Sequence, residues 1–330
     1  MYSQIHRNIQ SWYHSHGRTD LPWRNTANPY HIYLSEIMLQ QTQVKTVLER
    51  FYFPFLEQFP TFTHVSQAHL DEILKAWEGL GYYSRARHLH LAAQQCDGIL
   101  PDNAAELEKL PGIGKSTAHA IACFAFGADL PILDANVKRI LYRFFAIESC
   151  STTALWERAY ALFDSDHSYL YNQTLMDIGA LICRHTHPLC DQCPLAEQCQ
   201  GQKHPKRYPT KKAKKPKPIR RRTIQIYTDR STYGLTQNQT RLLQGLWSFP
   251  QTDSDLPPHP HATHLGEVIH HYTHFTLHAE VWLYPYQTTA TIRWFTMEEI
   301  DELALSGADH KVLKLLHQHL GFKSSPAVLR

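Results

Sequence analysis

Four cysteines close together late in the chain constrain the fold most. The spacing Cys183-x6-Cys190-x2-Cys193-x5-Cys199 places four thiols within 17 residues. Thiolates at this density can enclose one inorganic centre, and in a reducing compartment they indicate a metal site rather than disulfides. Four-cysteine ligation suits both tetrahedral zinc and a [4Fe–4S] cluster, although zinc ribbons usually carry two CxxC pairs and this segment has one. The residues alone favour a cluster and leave zinc open.

A basic segment divides the chain. Residues 203–222 contain eleven Lys or Arg and no Asp or Glu, whereas the remainder has 22 basic and 30 acidic residues. Its four prolines and few apolar side chains cannot pack a core. We therefore predict a first domain at 1–202, a flexible linker at 203–222 and a second domain at 223–330. The positive charge of the linker also suits contact with DNA phosphates.

The hydrophobic period changes across this linker. Before it, apolar residues recur at helical spacing over 34–51 and 137–145, and Asn28-Pro29 offers a helix N-cap followed by proline. After it, residues 223–229 alternate and residues 264–285 are rich in Val, Thr, Tyr and Trp, as strands are. A closing helix is predicted over 312–320. The first domain should be mainly helical and the second α+β.

Targeting signals are not evident. The chain has no run of eighteen apolar residues, and its N-terminus lacks an apolar signal core. We therefore expect a cytosolic protein without a membrane span.

A glycine-rich turn at Leu110–Ala118, LPGIGKSTA, has the form of a helix-hairpin-helix. Gly112 and Gly114 should allow positive φ and close backbone approach, and the next helix should begin with free N–H groups. Such a terminus can bind a DNA phosphate, to which Lys115 adds charge. Taken alone, the segment could equally be an ordinary turn between helices.

Two carboxylates are candidates for catalysis. Asp134 precedes an apolar stripe, so on local grounds it is first a helix N-cap. Glu36 would ordinarily be a solvated helix residue, but its apolar neighbours Leu34, Ile37 and Met38 favour a raised pKa. Local sequence does not decide between these structural roles and catalytic ones.

The order of these motifs resembles the endonuclease III superfamily of helix-hairpin-helix DNA glycosylases. Residues 21–44 and 79–93 closely resemble the A/G-specific adenine DNA glycosylases, the MutY family. The resemblance implies a helix-hairpin-helix domain whose loop 183–199 holds a [4Fe–4S] cluster on the four cysteines. It further implies a monomeric enzyme of bacterial type, acting at the nucleoid, that removes adenine opposite 8-oxoguanine or guanine in double-stranded DNA.

The resemblance also assigns roles to residues. It makes Glu36 the acid, places Asp134 at the sugar with Asn136 orienting the site, and brings Gln40 and Tyr82 into the base stack beside the lesion. Ala135 departs from the family, which usually has glycine there, and this puts the local backbone in question.

Ser116 separates two branches of the superfamily. Bifunctional enzymes that resemble endonuclease III carry a lysine here, whose amine attacks C1′, and Lys115 should lie on another helix face. A hydroxyl forms no Schiff base, so a monofunctional glycosylase is expected. The alternatives are a bifunctional pyrimidine glycosylase/lyase and a non-catalytic DNA-binding protein.

The second domain resembles MutT-like (Nudix) folds through RLLQGLWSFPQ at 241–251. The acidic helix that holds Mg²⁺ in those hydrolases is missing, since only Asp253, Asp255 and Glu267 follow Pro250 in this stretch. A nucleotide hydrolase is therefore disfavoured, and binding is expected instead. The family's Phe-Ser-His loop, which inspects oxidised guanine, corresponds to Tyr272, Thr273 and His274.

Overall fold

The computed structural model describes residues 2–210, 216–253, 260–285 and 291–321. Two compact units emerge from its contacts. The helical unit comprises Met1–Tyr52, Leu56–Ser66 and Leu91–Ala213, and the sheet unit comprises Phe53–Phe55, Gln67–His90 and Lys214–Arg330. Residues 67–90 thus pack with the C-terminal sheet, although they lie within the first domain predicted from sequence.

Helices dominate the chain before residue 200. Their bounds are α1 Ser3–His16, α2 Pro29–Met38, α3 Val44–Arg50, α4 Tyr52–Gln58, α5 Phe62–Gln67, α6 Leu70–Ala76, α7 Ser84–Gln95, α8 Ala104–Leu107, α9 Lys115–Phe126, α10 Ala135–Phe144, α11 Thr152–Leu162 and α12 Ser168–Asp177. A π-helical turn, Ile178–Ile182, continues α12 up to Cys183. In the described residues no helix is both long and apolar enough to cross a membrane.

The helix signals predicted for α2 and α10 are confirmed. Asn28 caps α2 by accepting a hydrogen bond from the backbone N–H of Tyr30 (3.0 Å), with Pro29 in the first position. The apolar stripe of α10 is buried and packs with α1, α11 and α12 in one hydrophobic core. Members of this core include Ile5, Ile9, Val137, Ile140, Leu141, Phe144, Leu155, Leu175 and Ile178.

A buried ion pair joins the N-terminal segment to the end of α12. The Asp177 carboxylate is fully buried and accepts two hydrogen bonds from the Arg24 guanidinium, at 2.7 and 2.8 Å. It also accepts from the backbone N–H and the Nε–H of Arg18, at 2.9 and 2.8 Å. Burial alone would raise the pKa of Asp177, but the hydrogen bonds and charge of Arg24 lower it below its ordinary value. The ion pair therefore remains charged in the interior.

The first half of the expected linker packs against the helical unit. Thr210 N–H donates to the Glu148 carbonyl at 2.9 Å, and Arg207 forms an exposed ion pair with the Glu148 carboxylate. Residues 203–210 are thus ordered by local contacts, which corrects the expectation of a flexible run. Residues 211–215 lie outside the described residues.

The C-terminal residues form a mixed sheet covered by two helices. Its strands are β1 Ile219–Thr228, β2 Tyr233–Gln237, β3 Trp247–Ser248, β4 Gln251–Asp253, β5 Thr263–His271, β6 Thr276–Pro285 and β7 Arg293–Phe295. The main strand order is β3-β2-β1-β6-β5, with β1 and β6 parallel. Helices α13 Met297–Asp301 and α14 Gly307–His319 follow, and the predicted closing helix falls in α14. Strand β1 begins at Ile219, four residues before 223, because residues 219–222 pair with β6.

We expect Asp177→Asn to lower the free energy of unfolding by about 3–5 kcal/mol, because it leaves the buried Arg24 charge without an anion. Denaturant unfolding would measure this. Glu148→Gln is the matched control, since the Glu148–Arg207 pair is exposed and should contribute little to stability. Similar losses in both variants would contradict a dominant role for the buried pair.

Candidate active site

Glu36 lies on α2 among buried apolar side chains. Its sequence neighbours Leu34, Ile37 and Met38 are all buried. Burial raises the pKa of Glu36 to about 7, the charge of Asp134 raises it further, and the charge of Arg24 opposes the rise. A carboxyl in this environment can hold a proton near neutral pH and release it on demand.

Asp134 is the N-cap of α10, and its charge acts on Glu36. Its carboxylate caps α10 by accepting from the backbone N–H of Val137 at 2.7 Å, and its charge acts on Glu36. Burial raises the pKa of Asp134, while hydrogen bonds from the N–H groups of Val137 and Asn136 oppose the rise. Ala135 is the first residue of α10 and is not among the residues with positive φ. The departure from glycine therefore leaves the local backbone unstrained.

Asn136 is held by an arginine that also binds the backbone leading to the cysteines. Arg139 donates from Nη2 to Asn136 Oδ1 at 2.9 Å and to the Gly179 carbonyl at 2.6 Å, and from Nε to the Cys183 carbonyl at 2.7 Å. Gly179 lies so near that a Cβ placed on it would be 2.5 Å from the Asn136 Cβ. The π turn and α10 therefore touch at a point where only glycine fits.

The hairpin confirms one glycine prediction and corrects another. Gly112 has a φ of 77°, in the left-handed region. Gly114 does not, because it is the N-cap of α9 with φ −99° and ψ 170°. A Cβ on Gly114 would meet nothing within 4 Å, so the helix N-terminus is open to an approaching group.

The two residues after Gly114 face different neighbours. Lys115 Nζ lies 4.6 Å from the ring centroid of Trp156 on α11, a cation–π contact. Ser116 Oγ accepts a hydrogen bond from the backbone N–H of Leu133 at 3.1 Å, next to Asp134. The hydroxyl, and not the amine, therefore occupies the position beside the candidate acid pair.

The four cysteines line one cavity. Cys183, Cys190, Cys193 and Cys199 border it together with Arg143. Burial raises the pKa of Cys193 to about 12 and that of Cys199 to about 11, and the neighbouring thiols contribute to both shifts. Within the described part of the chain, no three Cys, His, Asp or Glu side chains are grouped as a single bound metal ion would require.

Arg143 closes one side of this cavity. Its Nη1 donates to the Cys183 Sγ at 3.3 Å and to the Arg184 carbonyl at 2.8 Å. The charge of Arg143 also acts to lower the thiol pKa of Cys190 and Cys199, against burial. Sequence reasoning missed Arg139 and Arg143, although both lie on one face of the helix that begins at Asp134.

Tyr82 stands on a strained, exposed turn. Its φ is 51°, in the left-handed region that non-glycine residues seldom adopt, and its side chain is 41% exposed. The Gly81 carbonyl accepts hydrogen bonds from Trp77 Nε1 at 3.2 Å and Arg85 Nη2 at 3.0 Å, which hold the turn. Gln40, in the helical unit, donates to Thr117 Oγ1 at 3.4 Å and precedes Gln41, whose φ is 59°.

Thr273 and His274 are exposed at the tip of the β5–β6 hairpin. The Tyr272 N–H donates to the Phe275 carbonyl at 2.9 Å and closes the turn. Asp253 pairs instead with Arg222, and Glu267 lies opposite Glu280 in the sheet, so neither belongs to an acidic metal-binding helix. Asp255 lies outside the described residues.

Two family models match the chain. Residues 34–162 match the HhH-GPD superfamily of base excision DNA repair proteins, and residues 225–315 match the NUDIX domain. The first range includes Glu36, the helix-hairpin-helix turn and Asp134, and the second includes the β5–β6 hairpin. The expected helix-hairpin-helix and Nudix-like folds are both confirmed.

Curated relatives and a solved structure extend this result. An adenine DNA glycosylase of Buchnera aphidicola subsp. Baizongia pistaciae is 45% identical over 204 residues, which cover 60% of this chain and 58% of that protein. Another, from Buchnera aphidicola subsp. Schizaphis graminum, is 34% identical over 301 residues, covering 84% of this chain and 86% of the relative. A non-covalent endonuclease III–DNA complex shares the fold, with 20% identity, a TM-score of 0.52 and coverage of 62% of this chain and 97% of that one.

Proposed function

The chain belongs to the adenine DNA glycosylase family, and we therefore propose that the adenine it removes stands opposite 8-oxoguanine or guanine in double-stranded DNA. We further propose that it acts at the nucleoid as a monomer and leaves the strand intact. The observation that carries the chemistry is the pairing of two carboxyl groups. One is Glu36, whose pKa is raised to about 7, and the other is Asp134, which caps α10.

Glu36 is the general acid in this proposal. Adenine is flipped out of the duplex, which mispairing makes less costly. Protonated Glu36 gives its proton to adenine N7, so the C1′–N9 bond breaks with both electrons on a neutral base. The buried surroundings keep this proton on the carboxyl group at neutral pH until the base accepts it.

Asp134 stabilises the positive charge that develops at C1′. Its position at the N-terminus of α10 fixes the carboxylate, and Arg139 fixes the neighbouring Asn136. As in retaining glycosidases, the carboxylate acts through its charge or through a covalent bond to C1′. Ionised Glu36 then takes a proton from water, whose oxygen bonds to C1′; where Asp134 is bonded to C1′, that bond breaks and the carboxylate is released, and the product is an abasic sugar.

Ser116 supports hydrolysis without strand cleavage. Its hydroxyl accepts from Leu133 N–H beside Asp134, at the position where a lyase needs an amine. Lys115 points to Trp156 on α11 instead. These contacts favour the monofunctional branch over the glycosylase/lyase alternative.

A [4Fe–4S] cluster fits the cysteine cavity. All four thiols border it, and Arg143 provides an N–H donor to one sulfur. Burial favours neutral thiols, so a positively charged centre is needed to keep them as thiolates. When bound, the cluster would hold the loop together and is assigned no part in the hydrolysis.

Glu36→Gln and Asp134→Asn should each reduce single-turnover adenine excision by at least ~10²-fold, because one removes the proton donor and the other the charge at C1′. Excision from an A:8-oxoguanine duplex would be followed under enzyme excess. Glu49→Gln on α3, whose carboxylate is largely exposed, is the control. Near-normal excision by either variant would remove that residue from the mechanism.

Excision should fall as pH rises above about 7, since Glu36 must be protonated to act and its pKa is raised to about 7. Because the folded state holds this proton more tightly than the unfolded chain, stability should also be lost as pH rises from 4.5 to about 7. Glu36→Gln abolishes this loss, so its Tm advantage over the wild type should be larger at pH 8 than at pH 5. Excision that stays level well above pH 8 would contradict the raised pKa.

The purified protein should contain about four irons per chain, together with broad absorbance typical of an iron–sulfur centre. Cys193→Ala should lose iron and colour. Cys96→Ala is the control, since that thiol lies apart from the quartet and donates to the Ala92 carbonyl. Stoichiometric zinc without iron after anaerobic purification would refute the cluster.

The double variant Thr273→Ala, His274→Ala should reduce the preference for A:8-oxoguanine over A:G by about one to two decades while A:G excision changes little. The catalytic pocket meets adenine in both duplexes, so discrimination must come from groups facing the opposite base. His271→Ala on β5, whose Nδ1 contacts Thr276 Oγ1, is the control. Equal losses on both duplexes would instead assign the hairpin to general DNA binding.

A further inference from the structure

The two segments expected to meet the base opposite adenine belong to one compact unit. The turn 79–83, which carries Tyr82, and the hairpin 272–275, which carries Thr273 and His274, both lie in the sheet unit. Glu36 and Asp134 lie in the helical unit. The spacing between the Tyr82 turn and the hairpin is therefore set by contacts inside a single unit.

Both flanks of the Tyr82 turn bind the backbone of the same residue, Leu305. The Leu305 N–H donates to Glu78 Oε1 at 2.8 Å, and the Tyr83 hydroxyl donates to the Leu305 carbonyl at 3.2 Å. The same hydroxyl accepts from the Gly79 N–H at 3.3 Å, across the turn. Leu305 is thus fixed on both of its polar groups by residues on either side of Tyr82.

Both carboxylate oxygens of Glu78 accept hydrogen bonds, and the side chain is largely shielded from solvent. Its Oε1 also accepts from His310 Nε2 at 2.8 Å, and its Oε2 accepts from Lys75 Nζ at 2.9 Å. Lys75 donates in turn to the carbonyls of Asp301 and Leu303, at 2.6 and 3.1 Å. Burial alone would raise the pKa of Glu78, but the hydrogen bond and charge of His310 lower it below its ordinary value.

The next two residues along the chain lead to the base of the hairpin. Ser306 caps α14, accepting from the Ala308 and Asp309 N–H groups at 3.2 and 3.3 Å. Gly307 lies against the His270 ring, since a Cβ placed on it would be 2.9 Å from His270 Cε1. The His270 ring in turn contacts the Tyr272 ring, with centroids 4.5 Å apart. The base of the hairpin therefore packs against Gly307.

We propose that the segment Leu305–Gly307 is a strap that sets the Tyr82 turn and the Thr273 hairpin at a fixed spacing, so that both meet the oxidised guanine together. This inference rests on the proposed lesion specificity. Tyr83 and Glu78 on one side, and Gly307 on the other, are positioning residues that act through the strap without touching DNA. Tyr82 in its left-handed backbone conformation depends on these bonds to keep its direction.

Tyr83→Phe tests the strap with the loss of one oxygen atom. We expect the preference for A:8-oxoguanine over A:G, measured by single-turnover excision with the full chain, to fall about three- to tenfold. A:G excision and Tm should remain close to wild type. Tyr227→Phe is the matched control, because that hydroxyl donates to Gln225 Oε1 within the same sheet. Glu78→Gln, which weakens the strap on the other side of the turn, should give the same selective loss.

A double-mutant cycle provides a readout that general destabilisation would not move. Thr273→Ala should reduce the preference in the wild-type background and have much less effect in the Tyr83→Phe background, because the hairpin is then no longer held in register with Tyr82. Fluorescence of 2-aminopurine beside 8-oxoguanine would report whether Tyr82 still enters the stack. Additive effects of Tyr83→Phe and Thr273→Ala would overturn the strap.

The outcomes separate the two proposals. If the wild type excises adenine equally well opposite 8-oxoguanine and guanine, the proposed specificity fails, and the strap's role in it fails as well. If the wild type discriminates and both Tyr83→Phe and Glu78→Gln discriminate equally well, only the strap fails. Equal losses on both duplexes with a lowered Tm would show a merely structural role and would also overturn it.

Discussion

The architecture of the helical unit depends on the buried carboxylate of Asp177. It binds Arg18 and Arg24 and so fastens the N-terminal segment to the end of α12. From that point the chain enters the π turn, places Gly179 against Asn136, and reaches Cys183. The charge of Arg24 also acts on Glu36, where it opposes the rise in pKa. This ion pair therefore fixes the path towards the cysteines, and its arginine limits the rise in the pKa of the proposed proton donor.

Asp134 combines a structural contact with its proposed chemical role. A helix cap is normally satisfied by its own helix, and here the cap is also the anion beside Glu36. The hydrogen bonds that fix the carboxylate favour its ionised form, whereas burial opposes ionisation. Glu36 is subject to the same burial without backbone donors among the main causes of its shift, so the two carboxyls are driven towards different protonation states. This separation is what an acid and a charge stabiliser require.

Local signals in the sequence predicted most of the fold and the residues of the candidate site. Caps at Asn28 and Asp134, the hairpin and the cysteine spacing are short-range patterns, and each is found in place. The prediction of a positive φ at Gly114 was wrong, because this residue is a helix N-cap and its backbone is extended. The sequence did not reveal that residues 67–90 belong to the sheet unit, because the contacts that place them there join positions more than 220 residues apart, such as Glu78 and Leu305. Periodicity carries no information about partners at that distance.

The interleaving of the two units bears on how the protein is made. Glu78 and His310 are 232 positions apart. At about 5–20 residues per second, the ribosome therefore adds His310 roughly ten to fifty seconds after Glu78. For most of that interval Leu74 lacks Gly245, beside which it lies in the finished chain. A ribosome that stops before Gly245 releases a product with both proposed catalytic carboxylates and an apolar side chain that is left uncovered. Chaperones and proteases bind such exposed apolar surface, so a chain made without most of its sheet unit is open to removal.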